Sequence, residues 1–459
     1  MKRIILLTCL LLTAVWTTAQ DITGTWNGKL TLPNGVLTIV FHISADSNGY
    51  KTTLDSPDQG ATGIATGSTS FEGATLTVDI PVIHASYKGE LKADGKLHGT
   101  FTQGLPLPLT LSKGEAAKPK RPQEPRPPYP YRTEDIKFRN EQASITLAGT
   151  LTLPKEGDKF PAVILLTGSG PQNRDEEIMG HKPFLVIADY LTRHGIAVLR
   201  FDDRGTGQSE GNFQAATGAD FATDAEAALK YLRSRKEINS QKVGLLGHSE
   251  GGTNAFTVAA KKDSPAFVVS LAGTGIKGDS LMLKQAEAIT KSQGRPADAW
   301  EKDKPELKKI YTLLAQDKST AEIEKEFREE VEKAVPASMK NNEAVKKQME
   351  NQFKTMTSPW YLYFMRHDPT ADLRKIKCPV LAVNGDKDIQ VDAVMNLNAI
   401  KENIESNGNK QVTVKVYPGL NHLFQHCRAC TIAEYRQLEE TISPEVLKDI
   451  TDWILHITQ

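Results

Sequence analysis

Residues 242–252 read Lys242-Val243-Gly244-Leu245-Leu246-Gly247-His248-Ser249-Glu250-Gly251-Gly252. A short apolar run leads into Gly-x-Ser-x-Gly, and a helix-compatible run follows over residues 252–261. A strand, a tight turn that exposes a serine hydroxyl, and a helix together make a nucleophile elbow. The turn requires glycine at both flanking positions, because a Cβ there would strike the neighbouring strand or helix. The motif therefore predicts that Ser249 is a nucleophile, if an acid and a histidine follow in the chain.

Two polar loops after predicted strands supply the acid and the histidine. The first loop contains Asp386 and Asp388, and the second, which follows the last predicted strand, ends in His422. Open α/β sheets place their sites at the carboxyl ends of strands. The chain order serine, aspartate, histidine is that of α/β-hydrolases. We therefore expect His422 to take the proton of Ser249 and an aspartate, Asp388, to orient the histidine.

An oxyanion that develops on the substrate needs two N–H donors. One is expected from the backbone of Glu250, at the start of the helix after the serine. The other is expected from the glycine-rich residues 168–175, here named the oxyanion loop, with Ser169 as the first choice and Gly170 as the second. The oxyanion loop lacks both the Walker and the Rossmann spacing, so a phosphate site is not predicted there.

The densest aromatic cluster of the chain is Ser358-Pro359-Trp360-Tyr361-Leu362-Tyr363-Phe364. Small-molecule sites have apolar walls with a few polar anchors. We therefore predict a substrate pocket that includes Trp360 and Tyr361, together with Gln172 of the oxyanion loop. An equal alternative is that these aromatic side chains only pack a cap against the sheet.

Two further features lie close to the predicted site. His248 is inside the elbow, and its ring is expected to point away from the nucleophile. Asp203 and Arg204 follow another predicted strand. We interpret them as a structural charged pair that ties loops together near the upper edge of the sheet.

The domain organisation is read from changes in pattern. Residues 20–113 contain at least six short alternating segments, which predict an all-β barrel or sandwich. The proline-rich residues 114–132 predict an extended linker. Residues 133–459 alternate buried strands with amphipathic helices, which predicts a parallel sheet covered on both faces. Within them, about residues 276–375 are charged and helical, and we predict a helical cap there.

Composition and charge restrict the partners. The chain has 459 residues, with 56 Lys+Arg and 56 Asp+Glu, so its formal net charge is zero. This balance argues against a nucleic acid or an anionic membrane surface as partner. Residues 1–19 resemble a signal peptide whose apolar run is too short to span a bilayer. We expect an exported, periplasmic or secreted protein without a membrane span, and the oligomeric state stays open.

The cysteines leave a choice between a disulfide and a metal site. Cys427 and Cys430 could form a disulfide in an exported protein, with Cys378 left as a buried thiol. His422 and His426 lie beside the cysteine pair, so zinc is an alternative, but the spacing matches no standard zinc motif. We therefore predict neither a metal nor a cofactor.

From residue 133 onward the chain resembles secreted esterases and acyl hydrolases of the α/β-hydrolase superfamily. The resemblance is carried by the oxyanion loop, the Asp-Asp-Arg-Gly segment at 202–205, the elbow, and the motifs Ser358-Pro359-Trp360, Gly385-Asp386-Lys387-Asp388 and Asn421-His422. The acid loop of that superfamily, Gly-x-x-Asp, selects Asp388 over Asp386. The resemblance implies hydrolysis of carboxylic esters through an acyl-enzyme, without a cofactor. The predicted helical cap, which would enclose the pocket, favours short-acyl or other small-molecule esters.

Two other activities remain open from the sequence. Gly252 after the elbow also resembles peptidases of the prolyl-oligopeptidase type, although residues 21–113 are too few for their propeller domain. An aminopeptidase or other peptidase would use the same triad. A thioesterase is the second alternative, and it is less expected outside the cytoplasm, where acyl-CoA is scarce.

Overall fold

The computed structural model describes residues 21–32, 35–47, 49–59, 61–116, 120–296, 298–334 and 343–459. The predicted signal peptide, residues 1–19, lies outside these ranges. The chain divides into two compact units, Met1–Lys118 and Pro119–Gln459. Among the described residues, no helix is both long and apolar enough to cross a membrane.

The N-terminal unit is a single antiparallel sheet, which confirms the all-β prediction in its barrel-like form rather than as two stacked sheets. Its described strands follow one another along the sheet in the order β4-β3-β2-β1-β9-β8-β7-β6-β5. The strands are β1 Gly24–Leu32, β2 Gly35–Asp46, β3 Gly49–Ser56, β4 Ala61–Ala65, β5 Thr69–Glu72, β6 Thr75–Ile80, β7 Ala85–Leu91, β8 Lys96–Gln103 and β9 Leu105–Lys113. Trp26, Phe41 and Tyr87 are the largest side chains of its buried core.

Strand β9 contains two prolines, Pro106 and Pro108. Proline cannot donate to a ladder and is expected only where one side of a strand is unpaired. Both prolines pair with β8, opposite Thr102 and Thr100. The neighbour on the other side, β1, pairs with β9 only near its end, at Ser112 and Lys113. The prolines therefore occupy the part of β9 that has one strand partner.

The second unit contains an eight-stranded sheet of order β10-β11-β13-β12-β14-β15-β16-β17. Its strands are β10 Arg132–Asn140, β11 Ile145–Leu153, β12 Phe160–Leu166, β13 Ala197–Phe201, β14 Ile238–His248, β15 Val268–Leu271, β16 Val380–Gly385 and β17 Val412–Tyr417. The first two strands pair antiparallel, and the sheet is parallel from β13 onward. Strand β13 is buried along its whole length, as expected for a parallel strand covered on both faces.

Helices cover both faces of this sheet. The described α-helices are α1 Pro183–Arg193, α2 Gly218–Ser234, α3 Glu250–Ala259, α4 Gly278–Ser292, α5 Ala299–Leu314, α6 Thr320–Ala334, α7 Glu343–Met356, α8 Pro359–Arg366, α9 Thr370–Leu373, α10 Ala393–Glu405, α11 Ile432–Tyr435 and α12 Pro444–Ile457. Helices α2, α3 and α10 share one core with the sheet, and α1 and α12 share the other. This arrangement confirms the predicted α/β fold.

The predicted cap corresponds to helices α4 to α8, which lie between β15 and β16 in the chain. Their apolar stripes form a core of their own around Leu314, Ile323, Phe327 and Phe353. Helix α8 also shares contacts with α4 and α5 and brings its aromatic residues into this core. The cap is therefore a small helical layer inserted after the sixth strand of the unit.

Part of the proline-rich segment packs against the second unit. Arg121 donates hydrogen bonds to the carbonyls of Gly180, Arg436 and Leu438, at 2.9, 2.7 and 2.7 Å. Gln123 exchanges hydrogen bonds with the backbone of residues 441–442. Residues 120–131 are thus tied to the second unit before its first strand begins.

Candidate active site

The elbow forms between β14 and α3, where Ser249 has φ 53°, a left-handed conformation that non-glycine residues rarely adopt. Its N–H donates to the carbonyl of Leu271 at 2.8 Å, which holds the strained turn in place. A Cβ on Gly247 would lie 2.0 Å from the carbonyl oxygen of Gly251, and one on Gly251 would lie 2.1 Å from that of Leu166. Both flanking positions therefore require glycine.

The structure brings Asp388 and His422 together. His422 Nδ1 donates to Asp388 Oδ2 at 2.7 Å, and both side chains are buried. The other carboxylate oxygen accepts from the N–H groups of Gln390 and Val391, at 2.7 and 2.9 Å. These bonds hold the carboxylate in one orientation, with one oxygen aimed at the imidazole.

The other candidate acid, Asp386, has different hydrogen-bond partners. One of its oxygens accepts from the N–H of Gly419 at 2.6 Å, and the other pairs with Lys387 at 3.1 Å. Its side chain is more than a third exposed. Of the two candidate carboxylates, Asp388 is the one bonded to His422.

Two carboxyl groups, those of the buried Glu176 and the partly buried Asp203, hold the oxyanion loop in place. Glu176 accepts from the N–H of Gly168 at 2.8 Å. Asp203 accepts from the hydroxyl of Thr167 at 2.7 Å and from the N–H of Gln172 at 2.9 Å. These contacts fix the backbone on both sides of Ser169 and Gly170, the predicted second donors.

A cavity of about 220 Å³ opens at the elbow and is named here the catalytic cavity. Its walls come from the elbow, the oxyanion loop, the acid loop and cap helices α4 and α8. The lining residues are Ser169, Ser249, Glu250, Thr274, Leu281, Met282, Gln285, Trp360, Tyr361, Phe364, Gln390 and Val391. Trp360 and Tyr361 thus lie where a pocket was predicted. Gln172 is not among the lining residues, and its amide Nε2 donates to the carbonyl of Ser169 at 3.3 Å.

A second acid–histidine pair, Glu176 and His248, lies beside the Asp388–His422 pair and was not predicted from the sequence. His248 Nδ1 contacts Glu176 Oε1 at 2.9 Å, and its Nε2 donates to the carbonyl of His422 at 3.0 Å. Burial is the largest single influence on His248 and lowers its pKa, but the charge and hydrogen bond of Glu176, the bond to the His422 carbonyl and the charge of Asp388 together raise the pKa above its ordinary value. Both ring nitrogens face oxygen acceptors, an arrangement that favours the protonated ring beside Glu176. The only hint in the sequence is the histidine within the elbow.

Glu250 contributes more than its backbone to this region. Trp360 Nε1 donates to both carboxylate oxygens of Glu250, at 2.8 and 2.9 Å. Burial raises the pKa of Glu250 to about 7, although the Trp360 bond opposes the shift. Burial also raises the pKa of Asp203, to about 8. Two carboxyl groups beside the elbow therefore titrate near neutral pH.

The predicted charged pair of Asp203 and Arg204 was wrong, because each has other partners. Arg204 binds Asp224 of α2 through two nitrogens, at 2.7 and 2.9 Å. Asn140 donates to the same carboxylate at 2.6 Å. Arg204 thus anchors α2, whereas Asp203 supports the oxyanion loop.

The residues considered for zinc have other bonds. Cys427 and Cys430 form a disulfide. Within the described part of the chain, these two sulfurs and Glu434 are the one group close enough together to hold a metal ion, and the disulfide occupies both sulfurs. His426 Nδ1 contacts Glu440 at 2.9 Å, and His422 is engaged by Asp388. Cys378 is buried, which raises its pKa to about 12.

Comparisons with known proteins show which hydrolases this chain is similar to. Residues 182–426 match the family described as serine aminopeptidase, S33. Esterase EstD of Thermotoga maritima is 26% identical over 320 residues, which cover 69% of this chain and 68% of that protein.

Two solved structures align with part of this chain. One is an esterase of Pyrococcus furiosus, Pf2001, with TM-score 0.44 and 15% identity over 75% of this chain and 100% of that one. The other is Est1E of Butyrivibrio proteoclasticus with bound ferulic acid, with TM-score 0.42 and 17% identity over 70% of this chain and 99% of that one.

Proposed function

Because the chain belongs to the family described as serine aminopeptidase, S33, a family of α/β-hydrolases, we propose that it hydrolyses carboxylic esters with Ser249, His422 and Asp388 as its triad. The observation that carries the proposal is the buried Asp388–His422 bond beside an elbow whose serine lines a cavity. The similarity to an enzyme named as an esterase over 320 residues supports ester hydrolysis.

The proposed reaction passes through an acyl-enzyme. His422 Nε2 takes the proton of Ser249 as its Oγ attacks the ester carbonyl. The backbone N–H groups of Glu250 and Ser169, or of Gly170, stabilise the oxyanion. His422 then gives the proton to the departing alcohol, and water repeats the cycle on the acyl-enzyme. Asp388 holds the tautomer in which Nε2 is free to act as the base, because Nδ1–H is bonded to the carboxylate.

We propose small esters with short acyl groups as the substrates. The catalytic cavity, at about 220 Å³, is smaller than the usual range for drug-sized ligands. Met282, Trp360 and Phe364 give it an apolar wall. The helical layer α4 to α8 supplies most of that wall, so the cap is expected to limit acyl length.

A peptidase is the second candidate function, because the matching family is described as a serine aminopeptidase. The same triad can cleave amides, and the chemistry of the site alone does not separate the two bonds. Relative turnover of matched ester and amide substrates separates them.

We also propose that the protein works in an oxidising compartment, after export. The disulfide between Cys427 and Cys430 supports this proposal, since such bonds persist mainly outside the cytosol.

The decisive experiment is covalent labelling with a fluorophosphonate, followed by an ester and amide panel. The proposal expects one label, on Ser249, and loss of label and of ester turnover in Ser249→Ala. A residual rate of at most about one ten-thousandth is expected. Labelling of Ser249→Ala at the wild-type level would show that another residue is the nucleophile.

A further inference from the structure

Glu250 lines the catalytic cavity directly after the proposed nucleophile, and its buried carboxylate is bonded to Trp360, another residue that lines the cavity. Among the described residues that line this cavity there is no lysine or arginine, and no other carboxylate. The one donor that the structure gives to the carboxylate oxygens is the neutral indole of Trp360. A buried carboxylate without a cation is costly. Such a group beside a nucleophile indicates a binding role.

The side chains that surround Glu250 in the cavity are of a kind that attracts cations. Trp360, Tyr361 and Phe364 form a contiguous aromatic wall, with ring centroids 5.7, 6.0 and 6.5 Å apart in the three pairs. The negative face of an aromatic ring attracts an ammonium group. A carboxylate together with such a wall favours an organic cation and disfavours an anionic ligand.

The charged and titratable groups described near Glu250 supply no positive charge that would balance its carboxylate. Asp203, in the loop after β13, is a second acid, and its pKa is raised first by burial and further by the charge of Glu250. Tyr363 of α8 is half-buried, and its pKa is raised first by this burial and further by nearby negative charges, including that of Glu250. On the α3 side, Glu250 lies at the N-terminus of the helix, where only the helix dipole favours the anion. A ligand cation would therefore complete an acidic site.

We propose that the Glu250 carboxylate and the aromatic wall of Trp360, Tyr361 and Phe364 bind an ammonium group of the substrate. The preferred substrates are then esters that carry an amine a few bonds from the scissile carbonyl. This inference rests on the proposed ester hydrolysis and names its substrate class. The amine lies on the acyl or on the alcohol side of the ester, and two substrate pairs distinguish these arrangements.

The test compares isosteric cationic and neutral esters on the full-length enzyme. On the acyl side, the pair is phenylalanine methyl ester and methyl 2-methyl-3-phenylpropanoate, in which a methyl group replaces the amine. On the alcohol side, the pair is 2-(dimethylamino)ethyl butanoate and 3-methylbutyl butanoate. The readout is the ratio of kcat/KM for the cationic and the neutral member of each pair. A ratio cancels any general loss of activity, which matters because the backbone of Glu250 is also a proposed oxyanion donor.

For the wild type, we expect a ratio of at least about ten in one of the two pairs, since one partner of a desolvated charge pair is missing in the neutral ester. Glu250→Gln keeps the backbone and the shape of the side chain, and its ratio should fall to about one or two. Glu287→Gln, on α4 and paired only with exposed lysines, removes the same charge outside the cavity and should keep the wild-type ratio.

The ratio should also depend on pH in the wild type. Because only the ionised carboxylate attracts a cation, the ratio should rise from about pH 6 to about pH 8, where the amine of the alcohol-side ester stays protonated. The pH dependence of the ratio is measured on the wild type alone, so the proposal remains testable if Glu250→Gln does not fold.

The outcomes separate this inference from the proposed function. Ester turnover with ratios near one in both pairs at every pH overturns the ammonium site but leaves the esterase intact. A wild-type preference that Glu250→Gln retains shows that another group binds the amine. Absence of turnover of all four esters, together with absence of fluorophosphonate labelling, contradicts the proposed function itself.

Discussion

His248 donates from Nε2 to the main-chain carbonyl of His422, and the two rings lie 4.8 Å apart between centroids. On its other side, His248 pairs with Glu176, whose Oε1 also accepts from the N–H of Gly168. One buried ion pair thus links the oxyanion loop, the elbow and the loop of the proposed base. Glu176 does not line the catalytic cavity, but its bonds help to position the oxyanion loop, the elbow and the loop that carries His422.

Removing Glu176 should therefore impair chemistry more than binding. Glu176→Ala leaves the Gly168 N–H and the His248 imidazolium without their acceptor. We expect kcat to fall about a hundredfold, the scale of a 1 Å misplacement, with KM little changed. Glu176→Gln keeps an acceptor oxygen and should restore part of kcat. The measurement is steady-state kinetics on variants whose folding is checked by circular dichroism.

The exposed neighbour Glu177 provides the control for this prediction. Glu177→Ala removes the same charge one residue away and should behave as the wild type. Equal losses in the two alanine variants would mean that the effect is one of net charge and not of the bonds to Gly168 and His248.

Asp388 and Asp386 should differ strongly when each is changed to asparagine. Asp388→Asn replaces the acceptor of the His422 Nδ1–H by an amide and favours the wrong tautomer, so kcat should fall about a thousandfold or more. Asp386→Asn affects an exposed contact to Gly419 and should change kcat by less than about threefold. Turnover of an activated ester by the purified variants measures both. A larger loss in Asp386→Asn would reject the assigned acid.

Trp360 should control acyl length. Trp360→Ala enlarges the cavity beside Ser249 and should shift the best p-nitrophenyl ester toward a longer acyl chain. Trp360→Phe keeps a ring in the wall but removes the N–H bonded to Glu250, so its length profile should stay close to that of the wild type. If the alanine variant only melts at a lower temperature, with its length profile unchanged, Trp360 packs the cap and does not bound the pocket.

The N-terminal unit is not expected to take part in the chemistry. A chain that begins at Lys120 retains the bonds of Arg121 and Gln123 and should hydrolyse small activated esters. A chain that begins at Thr133 loses those bonds and the Tyr131–Asp189 hydrogen bond of 2.8 Å, so it should melt several degrees lower. Thermal melts and ester assays of the two chains test this. A folded but inactive chain from Lys120 would place part of the site in the first unit.

Acid should destabilise the fold through His181. Burial lowers the pKa of His181 to about 4, below the ordinary value of 6.5. As pH falls below about 6.5, the unfolded chain binds the proton before the folded chain does, so stability is lost between about pH 6.5 and about pH 4. The loss from this group amounts to at most about 3 kcal/mol.

The difference between the wild type and His181→Gln isolates that contribution from the carboxylates that titrate in the same range. Urea unfolding at several pH values should give a shallower decline of the unfolding free energy in the variant. Parallel declines would mean that His181 is protonated in the folded state without cost.

Features that depend on residues close together in the chain could be predicted from the sequence. The elbow carries its pattern within a few residues, and the structure has a strand, β14, before Ser249 and a helix, α3, after it. The chain order of Ser249, Asp388 and His422 also follows from sequence, since fold topology brings strand ends together.

Contacts between distant residues were not predictable in the same way. Glu176 and His248 are 72 positions apart, and nothing in the pattern around Glu176 marks it as a partner. Arg204 was assigned to the wrong partner because adjacent opposite charges suggest a pair, whereas the fold places Asp224 of α2 closer. Strand β9 contains two prolines, and whether a strand accepts proline depends on how many neighbours it has in the sheet, which a local pattern does not show.

The cap enters the chain between two strands that are hydrogen-bonded neighbours, β15 and β16, paired from Val268–Val380 to Leu271–Val383. Closing a longer loop between fixed ends costs little, because the cost grows only with the logarithm of length. Helices can therefore be gained, lost or exchanged at this crossover without disturbing the register of the sheet. The same insertion point would allow an ancestral hydrolytic centre to be inherited unchanged while descendants diversify their substrates, and it offers a site for grafting foreign caps.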